Sequence, residues 1–123
     1  MIRLLYAIES WALAALGILH IAATPRYFAE LSTQALWFFS GGVLMVFAAA
    51  LNLLNRTYGT GVPGMRWVCV TTNVVVVAIA VTGGILGHAS AAQWVIVLGI
   101  LGPLTVLSFW SPARDATSGR GAA

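Results

Sequence analysis

The chain has no lysine, one cysteine (Cys69) and three acidic residues against six arginines, and only 7% of its 123 residues are charged. A water-soluble domain carries about 25% charged residues, so this chain cannot cover itself in water. That excludes a soluble globular domain, and the scarcity of charge equally excludes a charge-rich disordered chain. A single thiol permits neither an intramolecular disulfide nor a multi-thiolate metal site. The arginines stand singly, without the contiguous basic patch that a phosphate backbone requires, and no nucleic-acid partner is expected. A Gly-rich phosphate loop, H-E-x-x-H, G-x-S-x-G, Cys-x-x-Cys and an Asp/Glu pair at catalytic spacing are also missing, so neither an enzyme nor a cofactor is expected.

What is abundant is apolar surface: 60% of the residues are hydrophobic and the mean hydropathy is +0.95. A hydrocarbon core near 30 Å needs about 20 apolar residues per helix, and four stretches qualify: about Leu4 to Ala23, Ala35 to Leu54, Trp67 to Gly87 and Ala92 to Trp110. Thr24-Pro25 is expected to stop the first, because a residue before proline is pushed out of helical geometry. Ser32 and Thr33 offer N-caps for the second. The third is rich in Val and Ile, but a lipid-facing strand must close into a barrel, and several segments of period-2 alternation are not there to build one. Pro103 lies within the fourth, where neighbouring helices can accommodate it. The fold class is therefore all-α: an integral membrane four-helix bundle over residues 1–110, with short loops that make sequence neighbours antiparallel. The small, polar tail 111–123 (SPARDATSGRGAA) is expected to be disordered.

Orientation follows from arginine. With both termini on one side, that side holds Arg3, Arg56, Arg66, Arg114 and Arg120, and the other holds Arg26 alone. The positive-inside rule then puts both termini in the cytoplasm of a multi-pass inner-membrane protein. Met1-Ile2-Arg3 looks like a short signal-peptide n-region, but Glu9 falls inside what would be its apolar stretch, and cleavage is not expected.

Ionisable side chains within a membrane helix are costly and mark functional candidates. Glu9 and His20 are the two. Eleven residues apart, they fall within about 20° of one another around a helix, on a face that also carries Tyr6, Leu13 and Leu16. At 1.5 Å per residue, Glu9 lies about 7 Å to the cytoplasmic side of its span's centre, Asn73 about 6 Å and Asn52 about 10 Å. Three helices can thus bring polar groups to one level. Two readings follow: a pocket in which Glu9 binds a proton or a cationic or hydrogen-bonding ligand, or a structural contact in which Asn73 and Asn52 satisfy Glu9 and fix helix register. Trp11, two residues from Glu9, either lines such a pocket or faces lipid. His20 and His88 differ in depth by some five residues, so an axial haem pair is not expected, and with only Glu30 nearby no metal site is expected either. Trp37, Trp67, Trp94, Trp110 and Tyr27-Phe28 fall near the interfaces as an aromatic belt. Small residues at Gly41-Gly42, Ala48 to Ala50, Ala80/Gly84, Gly83/Gly87 and Gly99/Gly102 suit close helix packing, within the chain or between protomers.

A Glu in the first of four short spans, in a chain of this length, resembles the small multidrug resistance transporters. That resemblance implies proton-coupled exchange of cationic drugs at Glu9 in an antiparallel dimer. The chain departs from that family in its arginine bias and in lacking an aromatic-Ser-Gly pattern within Trp67 to Gly87. The size, Arg3 near the N-terminus and the Gly-rich apolar helices also resemble the DoxX-like small bacterial membrane proteins. The leading expectation is an accessory subunit or a lipid- or apolar-ligand-binding protein, and the alternative is a transporter using Glu9. The lipid bilayer is the expected partner, with a homo-oligomer or a larger membrane complex as further candidates.

Overall fold

The computed structural model describes residues 1–59 and 61–110 and consists of four α-helices: α1 (Ile2–Tyr27), α2 (Thr33–Tyr58), α3 (Met65–Leu86) and α4 (Ala91–Phe109). Each is long and apolar enough to cross a membrane. In lipid every backbone N–H and C=O must be satisfied within the span, which is why even the Val74–Val77 run, β-prone in water, sits in the middle of a helix. The connections, residues 28–32, 59–64 and 87–90, are too short for anything but antiparallel neighbours. The four helices close a ring in which α1 packs on α2 and α4, and α3 packs on the same two.

Helix ends carry their own chemistry. Ser32 caps α2 by accepting from the Ala35 N–H at 3.1 Å, as expected. Ser90 caps α4 in a reciprocal box, in which Gln93 Oε1 accepts from the Ser90 N–H at 2.7 Å. The expected stop at Thr24-Pro25 is corrected: α1 runs through Pro25 to Tyr27. A proline near a helix end removes only one backbone donor. Here the last turn is held instead by Phe28 N donating to Thr24 O at 3.0 Å, and by Thr24 Oγ1 donating to His20 O at 3.0 Å. Gly64, at φ 86°, makes the left-handed entry to α3 that a side chain would strain. The expected tail lies outside the described residues.

The core is small and the outside is apolar. Tyr6, Leu13, Met45, Ala48, Ala49, Val76, Leu101, Leu104 and Leu107 pack together at the centre. Trp11, Trp37, Phe47, Trp67 and Val95 point outward. A bundle with this inside-out distribution is a multi-pass membrane protein whose solvent is lipid. The tightest approach is between α1 and α2, where Gly17 and Gly42 meet backbone to backbone: a Cβ added to Gly17 would stand 2.7 Å from Gly42 O. Gly41, next in sequence, faces open space.

One end of the bundle gathers Arg3, Arg56 and Arg66. Arg56 Nε donates to Arg3 O at 3.1 Å, and Arg66 Nη2 donates to Phe109 O. Arg26 closes α1 at the other end.

Candidate functional site

Near the arginine-rich end, three helices place polar side chains on one another in the middle of the core. Tyr6 of α1, Asn52 of α2, and Cys69 and Asn73 of α3 are each fully buried, and Asn55 of α2 nearly so. The two amides of Asn52 and Asn73 pair reciprocally, Asn52 Nδ2 donating to Asn73 Oδ1 at 2.8 Å and Asn73 Nδ2 donating to Asn52 Oδ1 at 3.0 Å. Tyr6 Oη donates to the same Asn52 Oδ1 at 2.6 Å and accepts from Asn55 Nδ2 at 3.2 Å. Cys69 Sγ donates to Asn52 Oδ1 at 3.1 Å and lies 3.3 Å from Tyr6 Oη. The second hydrogen of Asn52 Nδ2 is taken by Ala48 O, one turn back, at 2.7 Å.

Asn52 is therefore the hub. A carbonyl oxygen has two lone pairs, and three donors converge on this one, so the thiol is the weakest and most dispensable of them. The result is a closed clamp that ties α1, α2 and α3 together at one depth. In hydrocarbon such a network fixes register, because sliding one helix by a turn would strand several polar groups at once. Ser10 does not join the clamp: its hydroxyl donates to Tyr6 O, one turn back, at 2.6 Å.

The expected meeting of Glu9 with Asn52 and Asn73 is corrected. The two asparagines do come together, on the level that helix rise assigns them, but their partner from α1 is Tyr6. The buried stripe of α1 is Tyr6, Ser10, Leu13 and Gly17, at i, i+4, i+7 and i+11, and Glu9 lies at its edge, half-buried. Glu9 has no hydrogen-bond partner among the described residues. Tyrosine wins the position on reach: its hydroxyl stands at the far end of a rigid ring and spans the gap to α2 and α3, while its body fills core volume that a carboxylate cannot.

The other candidates are dispersed. His20 also lies at the edge of the α1 stripe, and its ring stacks on Phe38 of α2 with centroids 3.9 Å apart and planes 17° from parallel. Trp11 is 64% exposed and faces outward, away from the clamp. His88 is exposed in the turn between α3 and α4 with φ at 51°. Among the described residues no three His, Cys, Asp or Glu side chains gather where a metal could bind.

Outside the core, a groove between α2 and α3 opens on the lipid face, lined by Leu44, Trp67, Val68, Thr71, Thr72 and Val75. At its arginine-rich end the Arg66 guanidinium lies 5.6 Å from the Trp67 ring centroid. Comparison with protein-family models, with curated proteins and with solved structures finds no match to this chain.

Proposed function

We propose that this four-span protein has no catalytic role and works through its outer helix faces, holding a lipid or another apolar ligand, alone or as an accessory subunit of a larger membrane complex. One observation carries the reading: the buried Tyr6, Asn52, Asn55, Cys69 and Asn73 side chains are spent on one another in the clamp, whereas the groove and the large exposed side chains are directed at lipid. Binding energy at such a surface comes from apolar burial and shape. The second reading, proton-coupled transport, is favoured by Glu9, a carboxyl left outside the clamp at the edge of the α1 stripe and thereby free to exchange a proton. Both are tested on protein purified in detergent. Co-purified lipids and small apolar molecules are identified by mass spectrometry, and proton release on ligand addition is followed against pH for wild type and Glu9→Gln. The expected result is a retained apolar molecule and superimposable curves. A protein that retains nothing apolar would sink the first reading, and a curve flattened only in Glu9→Gln would put the transporter in its place.

The arginine distribution supports an inner-membrane protein with both termini in the cytoplasm, because Arg3, Arg56 and Arg66 share the end opposite Arg26. Reporters fused at the N-terminus and inserted at Gly61 should both read cytoplasm, and one inserted after Glu30 the outer side. A mixed population from the N-terminal fusion would remove the single orientation.

A further inference from the structure

We propose that the α2/α3 groove is a site for an anionic phospholipid of the cytoplasmic leaflet, one acyl chain lying along Trp67, Thr71 and Val75 and the phosphate resting on Arg66. The proposal rests on the lipid-binding reading above and narrows it to one lipid class and one site. Three observations support it. The groove starts one residue from Arg66 and follows the α3 stripe Trp67, Thr71, Val75 for about 12 Å, most of the roughly 15 Å that one leaflet of hydrocarbon offers. Arg66 is a cation in need of an anion: Nη2 is held by Phe109 O, while Nε is shut off from water and has no acceptor among the described residues. A partly desolvated guanidinium gains most from a charged partner, which a phosphate supplies. Trp67, beneath the guanidinium, sits where indoles favour the headgroup boundary, so headgroup and acyl chain meet the protein at adjacent residues. The anionic lipids of the cytoplasmic leaflet supply the charge on the side where positive-inside topology puts Arg66.

The test is native mass spectrometry of the full chain released from mixed micelles holding phosphatidylglycerol or phosphatidylcholine with the same acyl chains. Wild type should retain phosphatidylglycerol at least tenfold over phosphatidylcholine, and excess glycerol phosphate should not displace it. Arg66→Gln should bring phosphatidylglycerol down to the phosphatidylcholine level, and Thr71→Trp, which fills the groove, should lower retention of both. Arg56→Gln, an arginine at the same end but away from the groove, should leave the ratio as in wild type. Should Arg66→Gln not fold, Thr71→Trp carries the test alone. Equal retention of the two lipids by wild type, or a ratio untouched by Arg66→Gln, would leave lipid binding standing and remove this site. Retention of neither lipid would remove this site, and the broader reading would fall with it only if no other apolar molecule co-purifies.

Discussion

Asn52→Leu should lower the unfolding free energy of the detergent-solubilised protein by about 3 kcal/mol, more than any other single substitution in the polar clamp. The side chain makes five hydrogen bonds, to Tyr6, Cys69, Ala48 and, twice, Asn73. Within membranes such bonds average about 0.6 kcal/mol each, because the unfolded chain in lipid also finds partners. Leucine keeps the volume but strands the Tyr6 hydroxyl and both ends of the Asn73 amide, and stranded buried groups cost about 1–3 kcal/mol apiece in soluble proteins, so the loss should not fall below the membrane figure. The peripheral members should matter less, in an order set by connectivity. Tyr6→Phe leaves the Asn52–Asn73 pair intact and should cost about 1 kcal/mol, and Asn55→Ala removes a single 3.2 Å bond and should cost about 0.5 kcal/mol. Unfolding followed by helical circular dichroism against added denaturing detergent gives all three. If Asn52→Leu falls within 0.5 kcal/mol of wild type, or if Asn55→Ala exceeds it, the clamp is not what holds α1, α2 and α3 in register.

The parts of this molecule that hydropathy controls could be read from the sequence, and the parts that helix rotation controls could not. Four spans and their antiparallel order follow from bilayer thickness and loop length, and the helices α1 to α4 occupy those spans. The true ends lie a few residues farther out in α1 and α2; in α1 the last turn is closed past Pro25 by Phe28 N donating to Thr24 O. Depth along an axis is also legible: rise per residue puts Asn52 and Asn73 on one level, and they meet there. Azimuth was legible to about one residue's step. The face carrying Tyr6 and Leu13 is the buried one, but a 60° difference separates Tyr6 from Glu9, and ionisable character pointed to the wrong member of the pair. The same rise puts Tyr6 and Cys69 each about 12 Å from their span centres, closer to Asn52 than Glu9 is, and that match is the signal in the sequence for the clamp. Ser90-x-x-Gln93 before an apolar run is likewise a capping box in plain view. Nothing in the sequence pairs His20 with Phe38, because that stack depends on how α1 and α2 are rotated against each other.

Gly42→Ala and Gly41→Ala, neighbours in sequence and identical in chemistry, should move stability in opposite directions. At Gly42 an added Cβ would stand 2.8 Å from Gly17 O, 2.9 Å from Ile21 Cγ1 and 3.0 Å from His20 Cβ. The first of these is backbone, so relief requires α1 and α2 to separate, and overpacking of this kind typically costs about 1–3 kcal/mol. At Gly41 the same methyl meets nothing within 4 Å. There only the helix propensity changes, which favours alanine over glycine by about 0.8–1.0 kcal/mol in a helix interior. Gly17→Ala should resemble Gly42→Ala, its Cβ falling 2.7 Å from Gly42 O. Since the two glycines face each other across one contact, the double substitution should cost less than the sum of the singles, the first methyl having already forced the helices apart. The small-residue clusters that composition suggests are thereby sorted: Gly42 is used inside the bundle, while Gly41, Gly83, Gly99 and Gly102 face open space. The partner that makes Gly42 matter is a lone glycine in α1, outside any small-xxx-small pair of glycines. The same detergent titration measures all four proteins. A loss at Gly41 equal to that at Gly42, or strict additivity of Gly17→Ala and Gly42→Ala, would refute the backbone contact between α1 and α2.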